Sequence, residues 1–274
     1  MKTKIESNYH THTFLCKHAI GDVEDYVKRA IQLGYHTIAI TDHGPFTKEL
    51  QKKLASRRMS IEQYDEIYLD HLQRARNNYK GEIKVLFGVE IEYMEELKPL
   101  YEKFKKELDL LVLGQHYIFV NGEYISIFDH PLTEDEIEIY TSTVIKGLES
   151  GLFKILAHPE IFAWNIKDWD KKCEEASKRI IASAIKNNVV LEINVNGVRN
   201  SYYQDKVFYQ NGEINFPYPR REFWLLAKQM NARIVINDDA HAPNRIHDKY
   251  TLAIYEEAEK IGINVLTKID ELYS

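Results

Sequence analysis

The residue types able to do chemistry stand in a regular order along this chain. Tyr9-His10-Thr11-His12 begins the series, and alternation at a period of two points both imidazoles to the same side of an extended strand. Two neutral imidazoles converging on one point are ligands for zinc, iron or manganese. His18 follows in the same stretch; Asp42-His43, Glu90, His116, His158 and Asp239-Ala240-His241 then come one after another, each at the end of a short apolar run. Seven of the 11 histidines fall at or just after such ends, His18 included, whereas surface histidines placed at random would scatter over the amphipathic stretches as well. Imidazole and carboxylate without a thiolate cluster suit a hydrolytic metal site. Nine such ligands exceed what one catalytic ion takes, so the count points to two or three ions.

The elements that position these groups alternate between β-rich and amphipathic runs. Strands are predicted at residues 8–12, 36–41, 84–91, 110–116, 154–157, 189–195 and 233–237, with a short closing strand at 263–266. Between them the helical period runs from an Asp22 cap to Leu33, with Val23, Tyr26, Val27, Ala30 and Ile31 apolar and Gly34 as the stop. Further helices are predicted near 61–79, 94–108 (started or kinked by Pro99), 134–150, 171–187 and 250–261. Residues 46–60 read as a polar excursion, and 117–131 and 197–220 as loops. Continuous apolar strands alternating with helices imply an α/β fold with a parallel sheet covered on both faces. Seven or eight units in a row favour a closed barrel, formed as one domain over residues 1–274. In such barrels the working residues sit at the C-terminal ends of the strands.

Composition sets limits. Apolar residues make up 44% and charged residues 28%, the balance of a globular protein without a membrane partner. No apolar run reaches the length of a membrane span. Cys16 and Cys173 are too few for a disulfide framework, which implies a cytoplasmic protein. The formal charge of −6 argues against nucleic acid as partner, but not against a small anionic substrate held by cations. The sequence leaves the oligomeric state open.

Taken in order, His-x-His, Thr-Asp-His after the second strand, Glu after the third, single histidines after the fourth and fifth and Asp-x-His after the last resemble the polymerase-and-histidinol-phosphatase (PHP) superfamily. HTHTFLCKHA and AITDHGP (39–45) are similar to its histidinol-phosphate phosphatases, and the resemblance spans residues 8–241. It implies a distorted (β/α)7 TIM-like barrel and three divalent ions (zinc, iron or manganese). One ion would be held by His10, His12, Glu90 and Asp239, a second by the bridging Glu90 with His116 and His158, and a third by His18, His43 and His241. Of Asp42 and His43, one is expected to bind the third ion and the other to act on substrate. His43 is the preferred ligand, leaving Asp42 to orient a ligand or transfer a proton. The implied reaction is hydrolysis of L-histidinol phosphate to L-histidinol and phosphate in histidine biosynthesis, by a metal-activated hydroxide attacking phosphorus. Alternatives are a PHP phosphoesterase acting on a phosphotyrosine protein or a nucleotide, and a non-catalytic PHP domain. A degenerate copy should have lost ligands, and here none of the nine positions is missing.

Arg199, read as a loop residue, has the fork geometry for phosphate, and a solvated arginine is the competing reading. The aromatic-rich 197–220 loop is a candidate lid over an imidazole and equally a packed surface. Cys16 is expected to support the site without ligating. His36 and His71 are expected to be structural, His130 and His247 to lie at the surface, and Glu160 to be a solvated carboxylate. Asp238 stands where a small residue is expected.

Overall fold

The computed structural model describes residues 5–54, 56, 58–210 and 212–272. In chain order the strands are β1 (Ser7–Asn8), β2 (Thr37–Ile40), β3 (Lys84–Ile91), β4 (Leu110–Leu113), the hairpin β5 (Tyr117–Val120) and β6 (Glu123–Ser126), β7 (Ile155–Ala157), β8 (Val190–Asn194), the hairpin β9 (Phe208–Gln210) and β10 (Glu213–Asn215), and β11 (Ile234–Asn237). Seven of them form one sheet in the order β1-β2-β3-β4-β7-β8-β11. The registers of β1 on β2, β2 on β3 and β7 on β8 are parallel. With helices between the strands, this is the (β/α)7 class expected from the alternation. The chain divides into two compact units. One comprises residues up to Val112, Asn237–Leu252 and the stretch from Thr267 onward; the other comprises Leu113–Ile236 and Ala253–Leu266.

In the first unit, β2 is buried throughout and β3 at every position after Lys84, as strands covered on both faces must be. Helix α1 (Val23–Gln32) starts in a capping box formed by Asp22 and Asp25. Its buried residues, Val23, Tyr26, Val27 and Ala30, recur at helical spacing, and burying a valine side chain stabilises by about 1.5 kcal/mol or more. Helix α2 (Lys48–Lys53), capped by Thr47, lies inside the stretch expected to be irregular. Its only buried residue is Leu50, so no apolar period announces it.

The helix expected at 61–79 is interrupted. α3 (Ile61–Gln63) passes through a π-helical turn, Tyr64–Tyr68, into α4 (Leu69–Asn78). Tyr64 and Tyr68 are both buried in this turn, a distortion that recurs at functional sites. The Tyr68 hydroxyl lies 2.7 Å from the Gly88 carbonyl and 3.0 Å from that of Ile40, and accepts the Asp42 N–H at 3.2 Å. Helix α5 (Lys98–Glu107) carries Pro99 in its first turn, at the start where the sequence allowed it.

The first strand is shorter than the predicted 8–12. Its ladder ends at Asn8, and the residues beyond pair instead with the segment after β11. The His12 N–H donates to the Ala240 carbonyl (2.9 Å), the Ala240 N–H to that of His10 (3.2 Å), and the Tyr9 N–H to Asn237 Oδ1 (2.9 Å). The chain therefore makes this contact with the very residues that carry the candidate ligands.

In the second unit, α6 (Glu134–Glu149) opens with a Thr133–Glu136 capping box and α7 (Lys171–Lys186) with Asp170. Two stretches expected as loops are regular. Residues 117–131 contain β5 and β6, joined at Asn121-Gly122 with both residues at positive φ (51° and 91°). That is the Asn-Gly hairpin signal, and it was legible in the sequence. Residues 197–220 hold most of helix α8 (Val195–Tyr203) and the β9–β10 hairpin. Helix α9 (Arg221–Gln229) follows, and α10 (Lys249–Lys260) precedes the expected closing strand. That strand is reduced to a single bridge from Val265 to Ile234. Among the described residues, no helix is long and apolar enough to cross a membrane.

Candidate metal centre

Eight of the sequence-predicted site residues meet in the first unit. His10 and His12 are fully buried just past β1, and Glu90 is 1% exposed near the end of β3. His12 Nε2 lies 2.8 Å from Asp239 Oδ1 and 3.6 Å from Glu90 Oε2. His10 Nε2 lies 3.4 Å from the same Glu90 oxygen and 3.7 Å from Asp239 Oδ1. His43 Nδ1 is 2.8 Å from Glu90 Oε2. The His12 ring centroid stands 4.3 Å from that of His43 and 4.2 Å from that of His241; His18 is 5.1 Å and 4.9 Å from the same two rings. His10, His12 and Asp239 each bring a ligand atom within 4.8 Å of the others, and so do His12, His43 and His241.

Backbone geometry at one ligand is unusual. Asp239 sits at φ 46°, in the left-handed region where a residue with a β-carbon is strained by about 1 kcal/mol or more. Asp238 holds this turn in place. Its carboxylate accepts hydrogen bonds from Asn8 Nδ2, Thr251 Oγ1 and the His247 N–H. A small residue there would take this acceptor from Asn8 Nδ2 and the His247 N–H, which explains the departure noted in the sequence.

The cluster cannot satisfy itself with protein atoms alone. Neither His12 nitrogen has a partner in hydrogen-bond geometry, although carboxylates stand on both sides of the ring. An imidazole lone pair and a carboxylate oxygen 2.8 Å apart need a proton or a cation between them. Without a cation a proton serves: burial lowers the His12 pKa, but Asp239 and Asp42 outweigh it and hold the ring at about 9. The surrounding histidines are held neutral. Burial and then the Arg58 charge push His43 well down, burial and then His12 bring His241 to about 4, and the same two causes lower His18. Burial opposes ionisation of Asp239, yet His10, His12 and His241 hold its carboxyl well below the usual range. Neutral imidazoles around ionised carboxylates are the donor set a divalent cation takes, so these residues fit metal ions.

Asp42 is fully engaged by the protein. Its Oδ2 accepts from the Thr13 N–H (3.0 Å) and the Thr13 hydroxyl, and its Oδ1 accepts from the His43 N–H (2.8 Å). Oδ1 also lies 3.4 Å from His12 Nδ1, the position from which a carboxylate fixes the ring of a metal-ligating histidine. Cys16 is buried, donates to the Thr13 carbonyl at 3.2 Å, and has its thiol pushed up by burial and then by Asp42.

Sequence reasoning missed Arg58 and Glu92. Arg58 Nη1 lies 2.8 Å from His43 Nδ1, and its Nη2 pairs with Glu92. Both lie outside the His/Asp order that drew attention, Arg58 in a stretch read as a solvated excursion. Of the histidines set aside, His71 bonds Asp22 (2.7 Å) and His130 lies beside Glu136 (3.1 Å).

In the second unit, His116 and His158 have ring centroids 4.9 Å apart. His158 follows β7 at φ 34°, a second strained site residue. Tyr218 meets its ring edge-on at 5.9 Å and lies tilted against the Trp164 ring at 5.5 Å. Two expectations need correcting here. Arg199 belongs to helix α8 and is only 7% exposed, because Asn194 caps that helix directly after β8 and leaves no loop. Glu160 is not solvated but fully buried; its Oε1 accepts the Arg220 N–H (3.0 Å) and Trp224 Nε1–H (2.6 Å), and burial raises it to about 7.

Residues 8–196 match the PHP domain, and the chain belongs to that family. It is 25% identical to a protein of Schizosaccharomyces pombe named "Probable histidinol-phosphatase", over 97% of this chain and 90% of that one. It is 21% identical to the histidinol-phosphatase of Bacillus subtilis, over 85% and 92%. Among solved structures, one from Listeria monocytogenes superposes with a TM-score of 0.69 at 19% identity, covering 90% of this chain and 99% of that chain. The histidinol phosphate phosphatase of Lactococcus lactis, complexed with zinc, L-histidinol and phosphate, gives 0.65 at 16% identity, covering 96% and 95%. These likenesses establish the distorted barrel of the family as the fold of this chain.

Proposed function

We propose that this PHP-family, metal-dependent phosphatase hydrolyses L-histidinol phosphate to L-histidinol and inorganic phosphate. The observation that carries the metal-dependent part is the buried set His10, His12, Glu90 and Asp239, whose imidazole and carboxylate atoms lie too close to stand together without a cation or proton. The substrate is supported by the relatives named for it. The ligand set is the one the sequence resemblance implies: His10, His12, Glu90 and Asp239 for one ion, Glu90 with His116 and His158 for a second, and His18, His43 and His241 for a third. Bound divalent cations would supply a water ionised near neutral pH and offset charge on the phosphoryl oxygens.

The protein's own groups do the rest. Asp42 fixes the His12 ring and, through the His43 N–H, the start of the next ligand. Arg199, buried in helix α8, is assigned to the phosphoryl group. Attack on phosphorus breaks the bond to the alcohol oxygen, which leaves as L-histidinol on taking a proton.

Phosphate release from L-histidinol phosphate is to be measured beside a phosphotyrosine peptide, a nucleoside monophosphate and simple alkyl phosphates, on protein loaded with zinc, manganese or iron of measured stoichiometry. Histidinol phosphate should be preferred, and Glu90→Ala should abolish turnover. Equal rates across the panel would sink the substrate assignment, and full activity after exhaustive chelation would sink the metal dependence.

A further inference from the structure

We propose that Tyr68 is a positioning residue whose hydroxyl, wedged between β2 and β3, sets the separation of His43 and Glu90. The proposal rests on the reading of those two residues as metal ligands and does not depend on the substrate. Tyr68 is fully buried and closes the π-helical turn, in which the Leu69 N–H reaches back five residues to the Tyr64 carbonyl. Its hydroxyl touches three backbone groups. It accepts the Asp42 N–H (3.2 Å) and lies 2.7 Å from the Gly88 carbonyl and 3.0 Å from that of Ile40. Burial, and then Asp42, push its pKa well up, so it keeps the hydrogen it donates to a carbonyl.

Those three groups belong to one ladder. β2 and β3 pair in parallel as far as Ile40 opposite Phe87. Parallel strands bond through alternate residues of each, so one further step of this register would give the Asp42 N–H to the Gly88 carbonyl. The Tyr68 hydroxyl stands in that bond instead, receiving from Asp42 and facing Gly88. Beyond it the ladder resumes: the Glu90 N–H donates to the Asp42 carbonyl (3.0 Å), the Gly44 N–H donates to the Glu90 carbonyl (2.8 Å), and His43 is bridged to Glu90. A hydroxyl oxygen interposed between a donor and its acceptor holds two strands further apart than a direct bond would. His43 and Glu90 come next along the strands, and partners across a bridge point their side chains to the same face, here with His43 Nδ1 2.8 Å from Glu90 Oε2. The separation of these two ligands is therefore set where Tyr68 parts the strands. Without the hydroxyl, the Asp42 N–H either closes on Gly88 or is left buried without an acceptor, and in both cases His43 shifts against Glu90.

Tyr68→Phe removes only this oxygen. Tyr64→Phe is the control, since it removes a hydroxyl from the same turn, one bonded to Glu107 (3.0 Å) rather than to the strands. Folding is to be read by urea denaturation of the metal-free proteins, and cation affinity by competition with a chromophoric chelator. Visible absorption of the cobalt-loaded proteins reads the ligand geometry. Tyr68→Phe should fold, show displaced cobalt bands and bind cations about tenfold to a hundredfold more weakly, the scale of losing an outer partner of a ligand. Tyr64→Phe should keep wild-type affinity and cobalt bands even where it lowers stability. Wild-type affinity and bands in Tyr68→Phe would overturn the proposal. So would an equal loss in both variants, which would assign the effect to the turn as a whole. A Tyr68→Phe protein that does not fold would make the hydroxyl a requirement of the fold and overturn it too. If the wild-type protein itself binds no divalent cation, the metal reading on which the proposal rests has failed with it.

Discussion

Replacing Asp42 by Asn separates the two roles its position allows. Its two oxygens together accept three protein donors, the Thr13 N–H, the Thr13 hydroxyl and the His43 N–H. Asparagine has one oxygen, so either the Thr13 or the His43 backbone N–H must face an NH2 group. A buried donor without an acceptor costs about 1–3 kcal/mol, and the surviving bonds lose their charge assistance. The sum is a destabilisation of about 2–4 kcal/mol in the metal-free protein, read by urea denaturation. The His12 ring also loses the carboxylate 3.4 Å from Nδ1, which should weaken metal affinity by about tenfold to a hundredfold, read by competition with a chromophoric chelator. If Asp42→Asn keeps wild-type stability and metal affinity but loses turnover together with one limb of the pH–rate profile, the orienting role is refuted and Asp42 is the proton-transfer group.

Two further outcomes follow from the geometry. In Gly197→Ala the new Cβ would lie 2.3 Å from the Tyr218 carbonyl oxygen and 2.4 Å from its ring, so helix α8 or Tyr218 must shift. Overpacking of this kind costs about 1–3 kcal/mol, and a melting temperature equal to wild type would contradict it. The metal-free protein should be most stable near pH 6–7. His12, raised to about 9, contributes stability that is complete below its ordinary pKa of about 6.5 and is lost as pH rises through 9. His241, lowered to about 4, works in the other direction, so stability falls as pH drops from 6.5 through 4. Loading cations at pH 7.5 should release about one proton per protein from His12; loading without proton release in weakly buffered solution would contradict that assignment.

How far the molecule could be read from its sequence depended on the kind of signal. Strand β3 was delimited at Lys84–Ile91 because a continuous apolar run is its own marker, and α1 was recovered because Asp22 and the Val23–Ala30 spacing agree. The convergence of His10, His12, Glu90 and Asp239 was legible because strand ends gather in a barrel. Helix α2 was not legible, since one buried leucine makes no period. Arg199 was misplaced because Asn194 ends β8 and caps α8 in a single residue, leaving nothing loop-like to notice. Glu160 and Arg58 belong to a third kind. Nothing local distinguishes a carboxylate buried under Trp224 or a guanidinium wedged between Glu92 and His43 from their solvated counterparts, because burial of a charge is decided by partners far away in sequence.

The first unit is assembled from stretches far apart in the sequence. Ser7 Oγ bonds the Thr267 carbonyl (2.7 Å), the Ile269 N–H bonds the Tyr9 hydroxyl (3.1 Å), and Asp239 and His241 complete a cluster begun by His10 and His12. During synthesis the early histidines thus leave the ribosome more than two hundred residues ahead of their counter-carboxylate. Ion capture at native strength has to wait until Asp239 and His241 have been made, long after His10 and His12. A shortened translation product ending before residue 237 would carry His10 and His12 yet discriminate poorly among the cell's cations.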